Sequence, residues 1–209
     1  MKLLIFGATG PTGQQLLRQA LEQGHQVTAL ARRPSALGIQ HPLLNPIPGD
    51  ILDVASVESA VAGQDAVLSA LGVRKWMKNT ILSDGTRNIL QAMTRHGVRR
   101  FICETSLGVG DSKNDLGKAF NWFFLPVLLK NVFADKEIQE RYIQESDLDW
   151  TIVRPTYLDD GPLTGNYQVW TGRKPADVTN RISRADTAHF MLKQLITDTY
   201  VRKTPGISY

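Results

Sequence analysis

Cysteine is nearly absent: Cys103 stands alone among 209 residues, which excludes an intrachain disulfide framework. It lies in a strand-like run, so core packing is its expected role, and a reducing, cytoplasmic setting fits it. Histidine is scarce too. Four scattered imidazoles and one thiol supply no metal-ligand spacing, so no metal site is expected. No apolar stretch reaches the roughly 18 to 20 residues of a membrane span, and the first segment lacks a signal-peptide layout. A soluble protein is therefore expected. Charge never gathers into a run of one sign. Lys plus Arg exceed Asp plus Glu by 24 to 20, a mild excess that favours a small anionic ligand over nucleic acid. The chain also has no Gly-x-Ser-x-Gly elbow and no Gly-x-x-x-x-Gly-Lys phosphate loop. Internal repeats, low-complexity tracts and interdomain linkers are missing as well.

What is present is concentrated at the beginning. Lys2-Leu3-Leu4-Ile5-Phe6 is a short uninterrupted apolar run, as expected of a parallel strand buried on both faces. Gly7-Ala8-Thr9-Gly10-Pro11-Thr12-Gly13 follows at once. Leu16, Leu17, Ala20 and Leu21 then recur at helical spacing, and Gly24 stands where a left-handed residue would stop the helix. Strand, glycine loop and helix in one window favour a nucleotide fingerprint over a purely structural turn. Gly7 serves the tight turn, Gly10 lets backbone approach a pyrophosphate, and Gly13 permits close helix-strand packing. Thr9, Pro11 and Thr12 complete the candidate binding loop, whose free amides and helix dipole would hold the phosphates.

The chain continues as an alternation of strands and helices, with room for about six such units in one domain. Gln26–Ala31 reads as the second strand. Arg32 and Arg33 stand just past it, with no acid nearby to hold ribose hydroxyls, so NADP is expected over NAD, with Arg32 the main ligand of the 2′-phosphate and Arg33 its helper. Two solvated loop arginines would look the same. A short third strand is expected near Leu43–Ile47 within a proline-rich loop, then Asp50 and Ile51 as flanks for adenine. Ala66–Ala70 is the fourth strand, with Leu71 and Gly72 beside the nicotinamide-side ribose. A helix from Leu82 to Met93 closes at His96-Gly97, and Phe101–Thr105 is the fifth strand, with Ser106 at its mouth. Ala119–Phe133 is apolar nearly all round, and the wall of an aromatic pocket, core, or a dimer or membrane surface all suit it. A helix from Lys136 to Glu145, a sixth strand over Trp150–Val153 and a short edge strand at Tyr167–Trp170 follow. Ser183 to Asp186 is a capping box for a last helix striped by Ala188, Met191, Leu192, Leu195 and Ile196. The fold class is α/β, a doubly wound parallel sheet of Rossmann type, over 1–209, with a small substrate lobe from about 107–133 and 156–182.

Phe6 to Gly13, Val61-Ala62-Gly63-Gln64-Asp65-Ala66-Val67, Pro162-Leu163-Thr164-Gly165 and Arg181-Ile182-Ser183 through Met191-Leu192 carry a resemblance. The chain resembles the atypical short-chain dehydrogenase/reductases, the NmrA-like and biliverdin reductase B-like (NADPH flavin reductase) group. The resemblance implies Ser106 as the site hydroxyl beside the nicotinamide, Lys136 as a contact to the cofactor ribose, and Tyr157 at a position that is histidine in biliverdin reductase B. A loop cap for Ser106, a solvated helix charge for Lys136 and simple packing for Tyr157 stay open beside those roles. None of the five tyrosines has a lysine four residues on, and Val132 stands where the family tyrosine would be. That departure argues against ketone–alcohol chemistry, where tyrosine protonates a forming alkoxide. Flavins, quinones or azo compounds accept a hydride into a conjugated ring and a proton from water, so donor and acceptor need mainly to be held together. The expected partner is such a small planar acceptor, and the expected state a monomer or homodimer. An NmrA-like NADP sensor without turnover is the other class.

Overall fold

Successive side chains of a strand face opposite ways, and in Lys2–Phe6 (β1) both faces are apolar. Leu3 and Ile5 join one core cluster, Leu4 and Phe6 another. A strand buried on both sides needs helices on both sides. The computed structural model, which describes residues 1–73, 80–113, 115 and 129–209, supplies them. After β1 come Pro11–Glu22 (α1), Gln26–Ala31 (β2), Leu44–Pro48 (β3), Val54–Val61 (α2), Ala66–Ser69 (β4), Ile81–His96 (α3) and Arg100–Glu104 (β5). Lys130–Gln144 (α4), Asp149–Pro155 (β6), Tyr157–Asp159 (β7), Gln168–Trp170 (β8), Arg181–Ser183 (β9), Arg184–Lys193 (α5) and Gly206–Ser208 (β10) complete the order.

The main sheet runs β3-β2-β1-β4-β5-β6-β10-β8, parallel throughout except between β10 and β8. β7 and β9 pair separately, also in parallel. α1 and α5 pack together over the Leu3 and Ile5 face through Leu16, Leu17, Ala188 and Met191. α2, α3 and α4 cover the Leu4 and Phe6 face with Val57, Ile89, Met93 and Ile143. This is a doubly wound Rossmann fold, and its strand order reverses between β1 and β4.

Several boundaries depart from the sequence expectations, each for a visible reason. β3 carries Pro46 and Pro48, which a sheet tolerates because β3 is an edge strand. The last helix stops at Lys193 and excludes Leu195 and Ile196: Arg100 takes the carbonyl of Gln194 through Nε at 3.0 Å and Nη2 at 2.8 Å, and Ile196 is 85% exposed. α4 begins at Lys130, before the expected Lys136, so Lys130 to Phe133 form its first turn. Residues 119–128 of the apolar segment, with Phe120, Phe123 and Phe124, lie outside the described residues. β10 has no counterpart in the sequence reading. α3 has an N-cap supplied from elsewhere in the chain: Asp135 of α4 accepts from the Leu82 amide at 3.0 Å, the Ser83 amide at 3.2 Å and the Ser83 hydroxyl.

Candidate functional site

Parallel pairing aligns the C-terminal ends of the strands along one edge of the sheet, and every proposed loop residue follows such an end. In sheet order the row reads Asp50 and Ile51 after β3, Arg32 and Arg33 after β2, the glycine loop after β1, Leu71 and Gly72 after β4, Ser106 after β5, and Tyr157 after β6. From β2 to β5 there are three interstrand spacings, roughly 14 Å.

The glycine loop sits at the reversal point. Gly7 has φ +78°, and a Cβ on it would lie 2.3 Å from the Ala70 carbonyl oxygen, so only glycine lets β1 end against β4. A Cβ on Gly13 would come within 2.1 Å of the Gly7 oxygen, which seats α1 directly on the turn. Gly10 donates its amide to the Gly7 carbonyl at 2.8 Å and takes the N-cap position of α1 in an extended conformation, with Pro11 opening the first turn. Among the described residues no side chain caps α1, and its first turn holds no acid. Its first amides therefore face the row without a side-chain cap, whereas Asp53 caps α2 and Ser183 caps α5. Thr9 and Pro11 are exposed, and Thr12 and Gly13 buried.

Arg32 and Arg33 are exposed, and neither guanidinium has a hydrogen bond or ion pair among the described residues. Asp50 folds back on its own turn, its Oδ1 accepting from the Leu52 amide at 3.0 Å. Asn88 of α3 fixes the Ile51 carbonyl at 3.0 Å, and a Cβ on Gly85 would lie 2.7 Å from Ile51 Cγ1. Leu71 is half-buried against the core and Gly72 is exposed.

Lys136 and Ser106 come together at the end of β5. Lys136 Nζ donates to the Thr105 carbonyl at 2.5 Å, so it is not a free helix charge. Burial pulls its ammonium below the ordinary lysine value, while Glu104, Cys103 and Glu140 offset part of that effect. The Ser106 hydroxyl donates to the Leu107 carbonyl at 3.0 Å. The pairing with β6 continues past the end of β5, from the Thr105 amide to the Val153 carbonyl at 2.8 Å and from the Leu107 amide to the Pro155 carbonyl at 2.9 Å, which sets Ser106 beside the segment leading to Tyr157. Tyr157 is 74% exposed, so it does not pack. Val132, one turn before Lys136 on α4, is half-buried. Cys103 is fully buried, and burial pushes its thiol up to about 12, which leaves it an inert core residue.

Two features were missed from the sequence. Glu104 is a charge inside an apolar strand, which was the signal available; it is 7% exposed and accepts from the Thr12 hydroxyl at 3.2 Å. Burial raises its carboxyl, with Lys136, Thr12 and Arg184 offsetting part of the rise. Glu140, four residues after Lys136, pairs with Arg154, and no sequence spacing announces that contact. The described residues contain no group of three His, Cys, Asp or Glu suited to a metal, and no helix long and apolar enough to cross a membrane.

The row fits a dinucleotide phosphate: an uncapped helix start on a turn too tight for a Cβ at Gly7 or Gly13, and on the neighbouring strand end two arginines without partners among the described residues. The sequence profile of the NAD(P)H-binding family matches residues 7–198. The photosystem II assembly factor Ycf39 of Synechocystis sp. is 25% identical, over 98% of this chain and 61% of its own length. The chain spans between 21% and 62% of the length of the curated relatives that it matches first. The anaerobillin reductase ChuY from Escherichia coli O157:H7 superposes with a TM-score of 0.81 at 25% identity, over 100% of this chain and 97% of that one. A wide-type short-chain dehydrogenase/reductase from Veillonella parvula DSM 2008, solved with NADP, gives 0.83 at 20% identity over 100% and 94%, a likeness of fold.

Proposed function

We propose that this chain, which belongs to the NAD(P)H-binding family, is an NADPH-dependent oxidoreductase of the atypical short-chain dehydrogenase/reductase group, acting on a flavin-, quinone- or azo-like acceptor. The observation that carries the reading is the pairing of the uncapped α1 start with Arg32 and Arg33, unpartnered among the described residues on the adjoining strand end. The Thr12 and Gly13 amides at the start of α1 would hold the pyrophosphate, Arg32 with Arg33 the 2′-phosphate, Asp50 and Ile51 the adenine side, and Leu71 and Gly72 the second ribose. Lys136 and Ser106 share the next strand end, where they would orient the nicotinamide ribose and ring. NADPH, when bound, supplies the hydride. The chain's task is positioning, because Val132 leaves Lys136 without the tyrosine that protonates an alkoxide. A conjugated acceptor needs no such donor, and the exposed Tyr157 offers it a ring face and a hydroxyl.

The missing tyrosine also suits a protein that binds NADP and reports redox state without turnover. Following NADPH absorbance with free flavin, a quinone and an azo dye separates the two. Steady oxidation that Ser106→Ala slows supports the reductase. Tight NADPH binding with no oxidation across the panel assigns the sensor instead.

A further inference from the structure

One helix grips Thr105 at two points. Its carbonyl accepts Lys136 Nζ at 2.5 Å, and its hydroxyl donates to Glu140 Oε1 at 2.6 Å. Lys136 and Glu140 are four residues apart on α4 and so share a helical face. Glu140 is 2% exposed and faces Arg154, itself 3% exposed, near the end of β6. The guanidinium donates from Nε to Oε1 at 3.0 Å and from Nη2 to Oε2 at 2.5 Å, while Nη1 reaches Asp111 at 2.5 Å. Asp111 belongs to the turn that follows Ser106. Gly110 in that turn has φ +59°, and a Cβ there would sit 3.0 Å from Arg154 Nη2, so the turn closes directly on the guanidinium.

Stability is a weak reason for such a pair, since well-packed apolar residues of the same volume usually serve folding as well or better. Geometry offers a stronger one. The two carboxylate oxygens of Glu140 tie α4 to β6, the Thr105 hydroxyl adds β5, and the Thr105 carbonyl then hands the register to Lys136. We infer that Glu140, Arg154 and Thr105 are positioning residues that set the place of Lys136 and the path of the Ser106 turn. The inference rests on the NADPH reading for its functional consequence, and on these hydrogen bonds for the positioning itself.

Thr105→Val removes the hydroxyl while keeping shape and carbonyl, and Thr105→Ser restores the hydroxyl. Two readouts follow. The first is the acylation rate of Lys136 across pH in the cofactor-free protein, read by peptide mass spectrometry. The second is NADPH affinity by fluorescence titration. Thr105→Val should label Lys136 about fivefold faster and bind NADPH about tenfold more weakly, with Thr105→Ser within about twofold of the parent in both. Arg154→Lys, which keeps the charge and loses the two-pronged grip, should move both readings the same way and stands in should Thr105→Val not fold. A lower melting temperature with unaltered labelling, or faster labelling with unaltered affinity, overturns the inference. A parent that binds no NADPH refutes the functional reading, while the labelling arm still decides the positioning.

Discussion

The hydroxyl of Thr12, in the first turn of α1, donates to the buried carboxylate of Glu104 at the end of β5, at 3.2 Å. That contact places an ionisable group directly beneath the glycine loop. Burial raises the Glu104 carboxyl, so above the ordinary glutamate value of 4.5 the unfolded chain has lost a proton that the folded chain keeps. Stability should then fall as pH rises from about 4.5 until the folded carboxyl ionises. Glu104→Gln keeps an acceptor for Thr12 and should remove this decline. Urea melts of both proteins between pH 5 and 7 check it, and parallel slopes would assign the pH dependence to other groups.

Gly13→Ala should be far more costly than an ordinary helix substitution. The added Cβ would meet the Gly7 carbonyl oxygen at 2.1 Å and its carbon at 2.7 Å, both backbone atoms that cannot swing aside. Overpacking of this kind costs about 1 to 3 kcal/mol. Displacing α1 should also weaken NADPH binding by about tenfold or more, since the amides move with the helix. Chemical denaturation and cofactor titration give the two numbers, and unchanged affinity would detach the loop from the phosphates.

Tyr157 is 74% exposed, so Tyr157→Phe and Tyr157→Ala should both leave the melting temperature within a few degrees. If the ring stacks on the acceptor, only the alanine variant raises the Michaelis constant for a flavin or quinone, by an amount matching about 0.5 to 1.5 kcal/mol. Identical kinetics for all three proteins would remove Tyr157 from the site.

Asp135→Ala should destabilise the fold by about 1.5 to 3 kcal/mol, the scale of hydrogen bonds to a charged group. It strips the start of α3 of acceptors for the Leu82 and Ser83 amides and the Ser83 hydroxyl. Urea melts with an unchanged slope would register the loss, and a change below about 0.5 kcal/mol would show that water substitutes for the cap.

The sequence made β1, its loop and α1 legible because three local signals agree there: an apolar run, glycine spacing and a 3.6-residue stripe. The alternation that followed was enough for the doubly wound sheet, and Tyr167–Trp170 read correctly as an edge. β10 was not legible. Gly206-Ile207-Ser208 has a single large apolar residue, and its place between β6 and β8 depends on glycine fitting under Trp170, where a Cβ would lie 2.4 Å from the indole. Nothing periodic encodes that contact. Asp135 on α3, Thr12 on Glu104 and Arg154 on Glu140 are likewise pairings between segments that folding brings together, 14 to 92 residues apart. Local patterns locate loops along the sheet edge, but they do not say which buried charges lie beneath them.

The most direct test of the account is a calorimetric titration of NADPH and NADH against the parent and Arg32→Ala. Charge-assisted hydrogen bonds to a phosphate contribute about 1.5 to 3 kcal/mol. The parent should therefore prefer NADPH by about tenfold or more, and Arg32→Ala should weaken NADPH by roughly 10- to 100-fold while leaving NADH nearly unchanged. Equal affinity of the parent for both cofactors, or equal losses for both in Arg32→Ala, would contradict the assignment of the β2 end as the 2′-phosphate site.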